Sequence, residues 1–407
     1  MLAGCRNLSW TFLRRWTRKC SAVSSVLTSH HHNFVTIRPT SAPLHPSVYL
    51  SRRPFHSHHT GPMELKEVLQ VLDHLAPLSL AESWDNVGLL VEPSKPRPVK
   101  TILLTNDLRD AVMEEALALS CDLIVSYHPP LFRPIKRLVQ KDWKQRLAVQ
   151  AVEAGIAVFS PHTSWDSVKG GVNDWLVGGV GCGQVSVLSQ ALGCAPQSHK
   201  LEFMVRSAEE LNTVMEALKA CDDATTLQHS VSSSSGFHVA VTCSESALTP
   251  SVQTLLRHST PSQSLSILKL EKPPLPGHGQ GRISVLAQPV TVAEAIEKMK
   301  SHLGLSHLRL ALGWGQTLES SVSTVAVCAG SGASVLNGVK ADLYITGEMS
   351  HHEVLDAAAK GTSVILSDHS NSERGFLAVF RERLAVRLPG SVTVMVSKAD
   401  RDPLEVV

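Results

Sequence analysis

The stretch DLIVSYHPPLF, Asp122 to Phe132, decides the architecture. A short apolar strand ends on Tyr127 and His128 and is stopped by Pro129 and Pro130, since proline continues neither a ladder nor a helix. The chain must break there, which leaves the His128 imidazole at the lip of a sheet. In open α/β sheets that lip is where ligands bind.

A second copy of the pattern lies downstream. KTILLTNDLRDAVMEEALALSCDLIVSYHPP (Lys100 to Pro130) and STVAVCAGSGASVLNGVKADLYITGEMSHH (Ser323 to His352) both run strand, turn, helix, strand. Superposing Asp342 on Asp122 lays DLYITGE over DLIVSYH and puts Glu348 where His128 stands. AVEAGIAVFSPHTSWD (Ala151 to Asp166) then matches DAAAKGTSVILSDHSNSE (Asp356 to Glu373) with one residue of slippage. Each half closes a buried strand with His-x-x-x-acid, His162 with Asp166 and His369 with Glu373. That spacing puts both side chains on one face if the chain turns helical, and a loop can also bring them together. Strands alternating with helical patterns predict an α/β fold, a duplicated core of two similar halves with mostly parallel sheets.

Working outward, MELKEVLQVLDHLAP predicts an opening helix, with Leu65, Val68, Leu69, Leu72 and Leu75 at helical spacing and Pro77 ending it. ESWDNVGLLV follows as a polar turn into a strand, where Asp85 and Asn86 either line the site or only make the turn. The halves span residues 63–198 and 280–407 and flank an insertion of different texture, 199–279. The insertion reads as a β-α-β-α-β module: KLEFMV, a helix opened by Ser207-x-x-Glu210, FHVAVT, a helix opened at Thr249-Pro250, and SLSILKL. A serine run at 232–235 and EKPPLPGHGQG punctuate it. It holds no acid and imidazole pairs of the kind found in the halves, so its expected role is packing, oligomerisation or partner binding.

Bulk properties narrow the class. The 407 residues are 43% hydrophobic and 18% charged, ordinary for two or three domains with a real core. No apolar run reaches the roughly 18 residues of a membrane span. Residues 1–62 hold eight basic residues and no acid, whereas the remainder holds 30 basic and 36 acidic residues. The body is therefore mildly acidic, which argues against a broad surface for direct nucleic-acid contact. The leader is Arg- and Ser-rich, and reads as a disordered segment with the composition of a mitochondrial transit peptide. Cytoplasm is the expected location, with mitochondrial import where the leader is retained. Eight cysteines without a C-x-x-C pair read as a reduced intracellular chain without a disulfide framework or zinc ribbon.

If the halves pack with their strand ends together, His128, Asp166, His369 and Glu373 meet, with His162 and Glu348 close by. Mixed imidazole and carboxylate ligands without thiolate suit first-row divalent ions, with Zn, Fe, Mn and Ni not distinguished. A pair of such ions is a hydrolase arrangement. His162 and Glu348 are the candidates for handling protons, and His162 reads equally well as a buried imidazole with a structural bond. The turn AGSGAS (Ala329 to Ser334) is either an anion cradle or a tight strand-to-helix turn. Ser350-x-x-Glu353 predicts a capping box, with His351 and His352 in the first turn either touching substrate or solvated.

SWDNVGLL, SYHPPLF, SPHTSWD, GRISVLAQPV, ITGEMSHHEVLDAA and SDHSNSERG together resemble the Nif-three-like family, also called the GTP cyclohydrolase I type 2 family, over Met63 to Val407. The resemblance implies a duplicated α/β core, a homo-oligomeric ring, usually a hexamer, and a dinuclear metal site facing its interior. It implies a ferredoxin-like or PII-like insert, which fits residues 199–279. Its metal ligands fall on His128, Asp166, His369 and Glu373, so the implied cofactors are one or two divalent ions per subunit. Bacterial members carry a His-His pair where this chain has Tyr127-His128, so one ion loses an imidazole here. The family is also associated with transcription regulators, including a COP9 signalosome subunit, and with co-repression, which adds the nucleus to the expected locations. Two functions are therefore expected: a metal-dependent hydrolase of cyclohydrolase or phosphoester type, and a non-enzymatic adaptor acting through protein partners.

Overall fold

The structure is a computed structural model that describes residues 63–406 except 96, 194–196, 222–225, 234–235, 259–260 and 262. The leader and the end of the serine run lie outside the described residues. Helix α1 (Leu65–Leu75) opens with Glu64 and Glu67 bonding each other's backbone, and it buries Leu65, Val68 and Leu72 as the periodicity predicts. Among the described residues no helix is long and apolar enough to cross a membrane.

The first half builds β1 (Gly88–Val91), β2 (Thr101–Thr105), α2 (Asp110–Ala118), β3 (Leu123–Ser126), α3 (Trp143–Ala154), β4 (Ala157–Ser160), α4 (Thr163–Ser167), α5 (Val172–Gly178) and β5 (Gly183–Leu192). The insertion contributes β6 (His199–Val205), α6 (Ala208–Cys221), β7 (Thr226–Ser233), β8 (Gly236–Cys243), α7 (Glu245–Leu256) and β9 (Ser266–Lys269). The second half runs β10 (Pro274–Thr291), α8 (Val292–Leu303), β11 (Arg309–Ala311), β12 (Ser321–Cys328), α9 (Ala333–Leu336), β13 (Leu343–Thr346), α10 (His351–Ala359), β14 (Ser363–Leu366), α11 (Phe376–Ala385) and β15 (Thr393–Val396).

Two core sheets result, ordered β1-β4-β3-β2-β15 and β11-β14-β13-β12-β10-β5. Five of their nine pairings are parallel; the antiparallel strands β1, β11, β10 and β5 lie at the margins, whereas the edge strand β15 is parallel to β2. The central strands β3, β4, β13 and β14 are buried at every position, as strands covered on both faces must be. The repeat seen in sequence is physical. Asp122 Oδ2 accepts from the N–H groups of Lys100 and Thr101 at 2.8 and 3.1 Å, and Asp342 Oδ2 accepts from those of Ser323 and Thr324 at 2.8 Å each. In each half the same aspartate thus ties the start of one strand to its parallel neighbour.

The halves also exchange strands. β5 leaves the first half to pair with β10, and β15 returns from the second half to lie parallel to β2. One apolar core joins the sheets: Ile102, Leu104 and Val125 on one side, Val325, Val327 and Ile345 on the other, with α1, α5 and α11 contributing. Trp165, 1% exposed, packs its ring 3.9 Å from Phe380 and 5.6 Å from Phe376, so the turn after β4 is locked against the helix after β14.

The insertion differs from the five-element expectation in two respects. It has a fourth strand, β7, giving the order β7-β8-β6-β9 and the antiparallel β-α-β-β-α-β arrangement of ferredoxin-like folds. The polar composition of β7, TLQHSVSS, hid it from a hydrophobic pattern. Its second helix, α7, starts at Glu245 instead of at the Thr-Pro pair: Ser244 Oγ accepts from Ala247 N–H, and Pro250 falls inside the helix. Ser207 caps α6 as predicted, accepting from Glu210 N–H at 3.2 Å.

Candidate metal centre

The carboxyl ends of β2, β3 and β4 face those of β12, β13 and β14, and the polar residues just beyond each strand converge. His128 follows β3, and His369 follows β14 before a 3₁₀ turn, Ser370–Ser372, that delivers Glu373. His128 Nε2 lies 3.4 Å from Glu373 Oε2, and His369 Nε2 lies 3.5 Å from Glu373 Oε1. The two imidazoles are 5.2 Å apart, and the ligand atoms of all three residues fall within 4.8 Å of one another. Glu373 is a buried carboxylate between two rings, with its side chain 2% exposed.

The outer nitrogens are equally specific. His128 Nδ1 is 2.9 Å from Asp107 Oδ1, His369 Nδ1 is 3.0 Å from Glu348 Oε1, and His162 Nδ1 is 2.7 Å from Asp85 Oδ1. A carboxylate accepting from Nδ1–H fixes the ring orientation and leaves Nε2 as the nitrogen that can coordinate once a cation displaces its proton, the arrangement found behind metal-bound histidines. Asp85 is itself pinned by the N–H and hydroxyl of Thr163 at 3.1 and 2.5 Å. Burial works to raise the Asp85 pKa, but His162 and Thr163 outweigh it and hold it below its ordinary value.

The sequence pairs resolve differently in space. His369 and Glu373 do converge, whereas His162 takes Asp85 as its partner, because it stands at the N-cap of α4 with φ +31° and leaves the helix face that carries Asp166. Asp166 instead accepts from the Tyr127 hydroxyl at 2.7 Å. It lies outside the group of three whose ligand atoms are closest. His128 and His162 rings are 5.3 Å apart, so His162 borders the cluster. Glu348 is half-exposed, with Oε1 on His369 and Oε2 accepting from the Ser331 hydroxyl at 3.1 Å.

Charge explains the protonation states. Burial opposes ionisation of Glu373, but the facing His128 and His369 and a 3.1 Å bond from Asn106 Nδ2 bring its pKa below the usual value. Burial likewise opposes charge on His128, yet Glu373 and then Asp107 raise its pKa to about 10. Burial pushes Asp166 up to about 7 against the opposing pull of His162 and the Tyr127 bond. Tyr127, 2% exposed, is driven well above its ordinary pKa by burial first and by Asp166 and Glu373 next, so it is a neutral phenol.

Gly330 shows how tightly the glycine turn is fitted. A Cβ there would sit 2.7 Å from Glu373 Oε1 and 3.1 Å from His369 Nε2, and its φ is +64°. The N–H groups of Ala329, Gly330 and Gly332 bond Asn173 Oδ1, Ser372 Oγ and Thr346 Oγ1 at 2.9, 2.8 and 3.1 Å. They do not form an anion cradle; the turn lets backbone approach the cluster. Ser350 and Glu353 form the expected capping box, and His351 and His352 are exposed in the first turn of α10. Asn106, Asp107 and Asp400 belong to the site and were not among the expected residues. Asp400 Oδ2 accepts from Asn106 N–H at 2.6 Å, and the only sequence signal was a polar pair directly after β2.

The architecture and the cluster define a class: a duplicated α/β protein whose facing strand ends form a His₂-carboxylate group able to hold a metal ion. The model of the Duf34/NIF3 (NGG1p interacting factor 3) family matches residues 63–403, and the chain belongs to that family. NIF3-like protein 1 of Homo sapiens is 48% identical over 350 residues, covering 85% of this chain and 93% of the human protein. NGG1-interacting factor 3 of Saccharomyces cerevisiae is 30% identical over 359 residues, covering 84% and 97%. Among solved structures, a Staphylococcus aureus protein superposes with a TM-score of 0.64 at 21% identity, covering 85% of this chain and 99% of its own. A Bacillus cereus protein related to NIF3 gives 0.59 at 21% identity, with 86% and 100% covered. These two share the fold.

Proposed function

We propose that the chain is a divalent-metal-dependent hydrolase, of cyclohydrolase or phosphoester type, whose ion is held by His128 Nε2, His369 Nε2 and Glu373. One observation carries this reading: His128, His369 and the bordering His162 each have Nδ1 fixed by a separate carboxylate, and the first two turn Nε2 toward a buried glutamate. The donor set fits, because a buried carboxylate needs a positive partner and the turn at Gly330 keeps side-chain bulk out. A bound ion supplies Lewis acidity to a substrate oxygen and to water. Asp107 and Glu348 orient the two ligand imidazoles. His162, held by Asp85, and Asp166, with a pKa of about 7, are the groups placed to take and return a proton. Trp84 and Phe132 stand 6.0 and 6.4 Å from the His162 ring and narrow the approach.

Tyr127 sets the number of ions. A neutral phenol committed to Asp166 Oδ1 is a poor ligand, so we propose one firmly held ion per chain. The same residue favours a second reading, a non-enzymatic adaptor in transcriptional co-repression, and the yeast relative is named for interaction with NGG1. The metal-loaded chain, assayed on a panel of nucleotides and phosphoesters, separates the two. Turnover that disappears in His162→Gln while the metal is retained supports the hydrolase. A wild-type chain that holds its metal and turns over nothing in the panel supports the adaptor.

A further inference from the structure

The connection between β3 and α3 differs from the rest of the surface. Residues 127–142 hold neither helix nor strand, and Phe132 to Lys144 are exposed without interruption. Loops of this length inside a compact fold commonly carry function. Five large apolar side chains stand in water: Phe132 38%, Ile135 43%, Leu138 53%, Val139 41% and Trp143 44% exposed. Between them are Arg133, Lys136, Arg137 and Lys141, and Lys144 follows the last. The one acid, Asp142, is engaged with the N–H groups of Lys144 and Gln145 at the start of α3. Arg146 beyond them is paired with Asp110, but among the described residues no carboxylate pairs with the other five cations.

A cleft of about 490 Å³ enters this segment, lined by Pro130, Leu131, Phe132, Ile135, Lys136 and Lys144. Apolar anchors in a concave seat with a cationic rim match an extended segment that carries both acidic and apolar side chains. A lipid surface offers no projection to fill a cleft. The leader of this chain, with eight basic residues and no acid before Glu64, would be repelled. We infer that Phe132 to Lys144 is the docking surface for an acidic, apolar peptide segment of a partner protein.

Selection of short random displayed peptides on the full chain tests this. The expected peptides are rich in Asp and Glu interspersed with Leu, Ile or Phe. Their synthetic consensus should weaken about tenfold or more on Lys136→Glu with Arg137→Glu, and with added salt. Ile135→Ser should weaken it as well. Selected peptides without acidic enrichment, or acidic ones indifferent to these substitutions, overturn the proposal. Phosphatidylserine vesicles and an oligothymidylate are titrated in parallel; charge-dependent binding of either, with no acidic peptide selected, reassigns the surface and also overturns it. So does a charge-reversed variant that elutes as a smaller species in gel filtration, since the face would then join copies of this chain. Both variants should keep wild-type metal content, which separates this surface from the metal centre.

Discussion

The Tyr127 hydroxyl donates to Asp166 Oδ1 across 2.7 Å, and neither residue is more than 8% exposed. The bond takes one of the two oxygens that Asp166 could turn toward a cation. Tyr127→Phe leaves a buried carboxylate without its donor and should cost about 1–3 kcal/mol of unfolding free energy in urea. Metal content should stay at the wild-type level. Tyr127→His should add a second bound equivalent, because an imidazole would then stand beside His162 and a freed Asp166; an unchanged metal content would show that Tyr127 does not set the number of ions.

Gly330→Ala should cut metal affinity about tenfold or more, since the new Cβ would push on Glu373 and His369, both within 3.1 Å. Gly338→Ala is the control: its φ is +78° but open space surrounds it, so it carries the backbone strain of about 1 kcal/mol without the contact. Isothermal titration with zinc distinguishes them. Equal affinities in the two variants would mean that the close approach at Gly330 has no bearing on the cluster.

His302 gives the fold an acid sensitivity away from the centre. Its ring stacks 4.5 Å from Trp175, Nε2 has no hydrogen-bond partner, and burial lowers its pKa from 6.5 to about 4. Between those values the unfolded chain binds the extra proton, so this contribution is intact above the upper value and falls as pH drops through the window. The loss should approach the order of 3 kcal/mol near the lower value. Urea melts across the window should show it, and His302→Phe should remove that part of the slope.

The C-terminal segment supports the centre from behind. Asp400 Oδ2 accepts from Asn106 N–H at 2.6 Å and lies 3.5 Å from Arg374 Nε, and Asn106 Nδ2 in turn bonds Glu373. Asp400→Ala should lower stability by about 2 kcal/mol and weaken metal binding several-fold. Stability loss without any change in affinity would confine Asp400 to a structural part.

The duplication and the strand-end histidines were legible because they rest on local patterns. Asp122 and Asp342 recur at matched places, and apolar runs stopped by Pro129 or followed by Asp368 mark where each strand must end. The carboxylates that orient the imidazoles were not equally legible. Asp85 reaches His162 across 77 positions, and its sequence left open whether it lined the site or only made a turn; Asp107 reaches His128 across 21 and was not singled out. Both contacts exist only once the strands are in register. Strand exchange was hidden for the same reason. β15 offers only four residues, and its pairing with β2 is decided by the tertiary core, not by its own sequence.

The most direct measurement is metal per chain, by mass spectrometry of the purified protein, in wild type and in His369→Ala and Glu373→Ala. The account predicts about one first-row divalent ion per wild-type chain and near-complete loss in both variants, with each still folded by circular dichroism. Equal metal in all three proteins would contradict it.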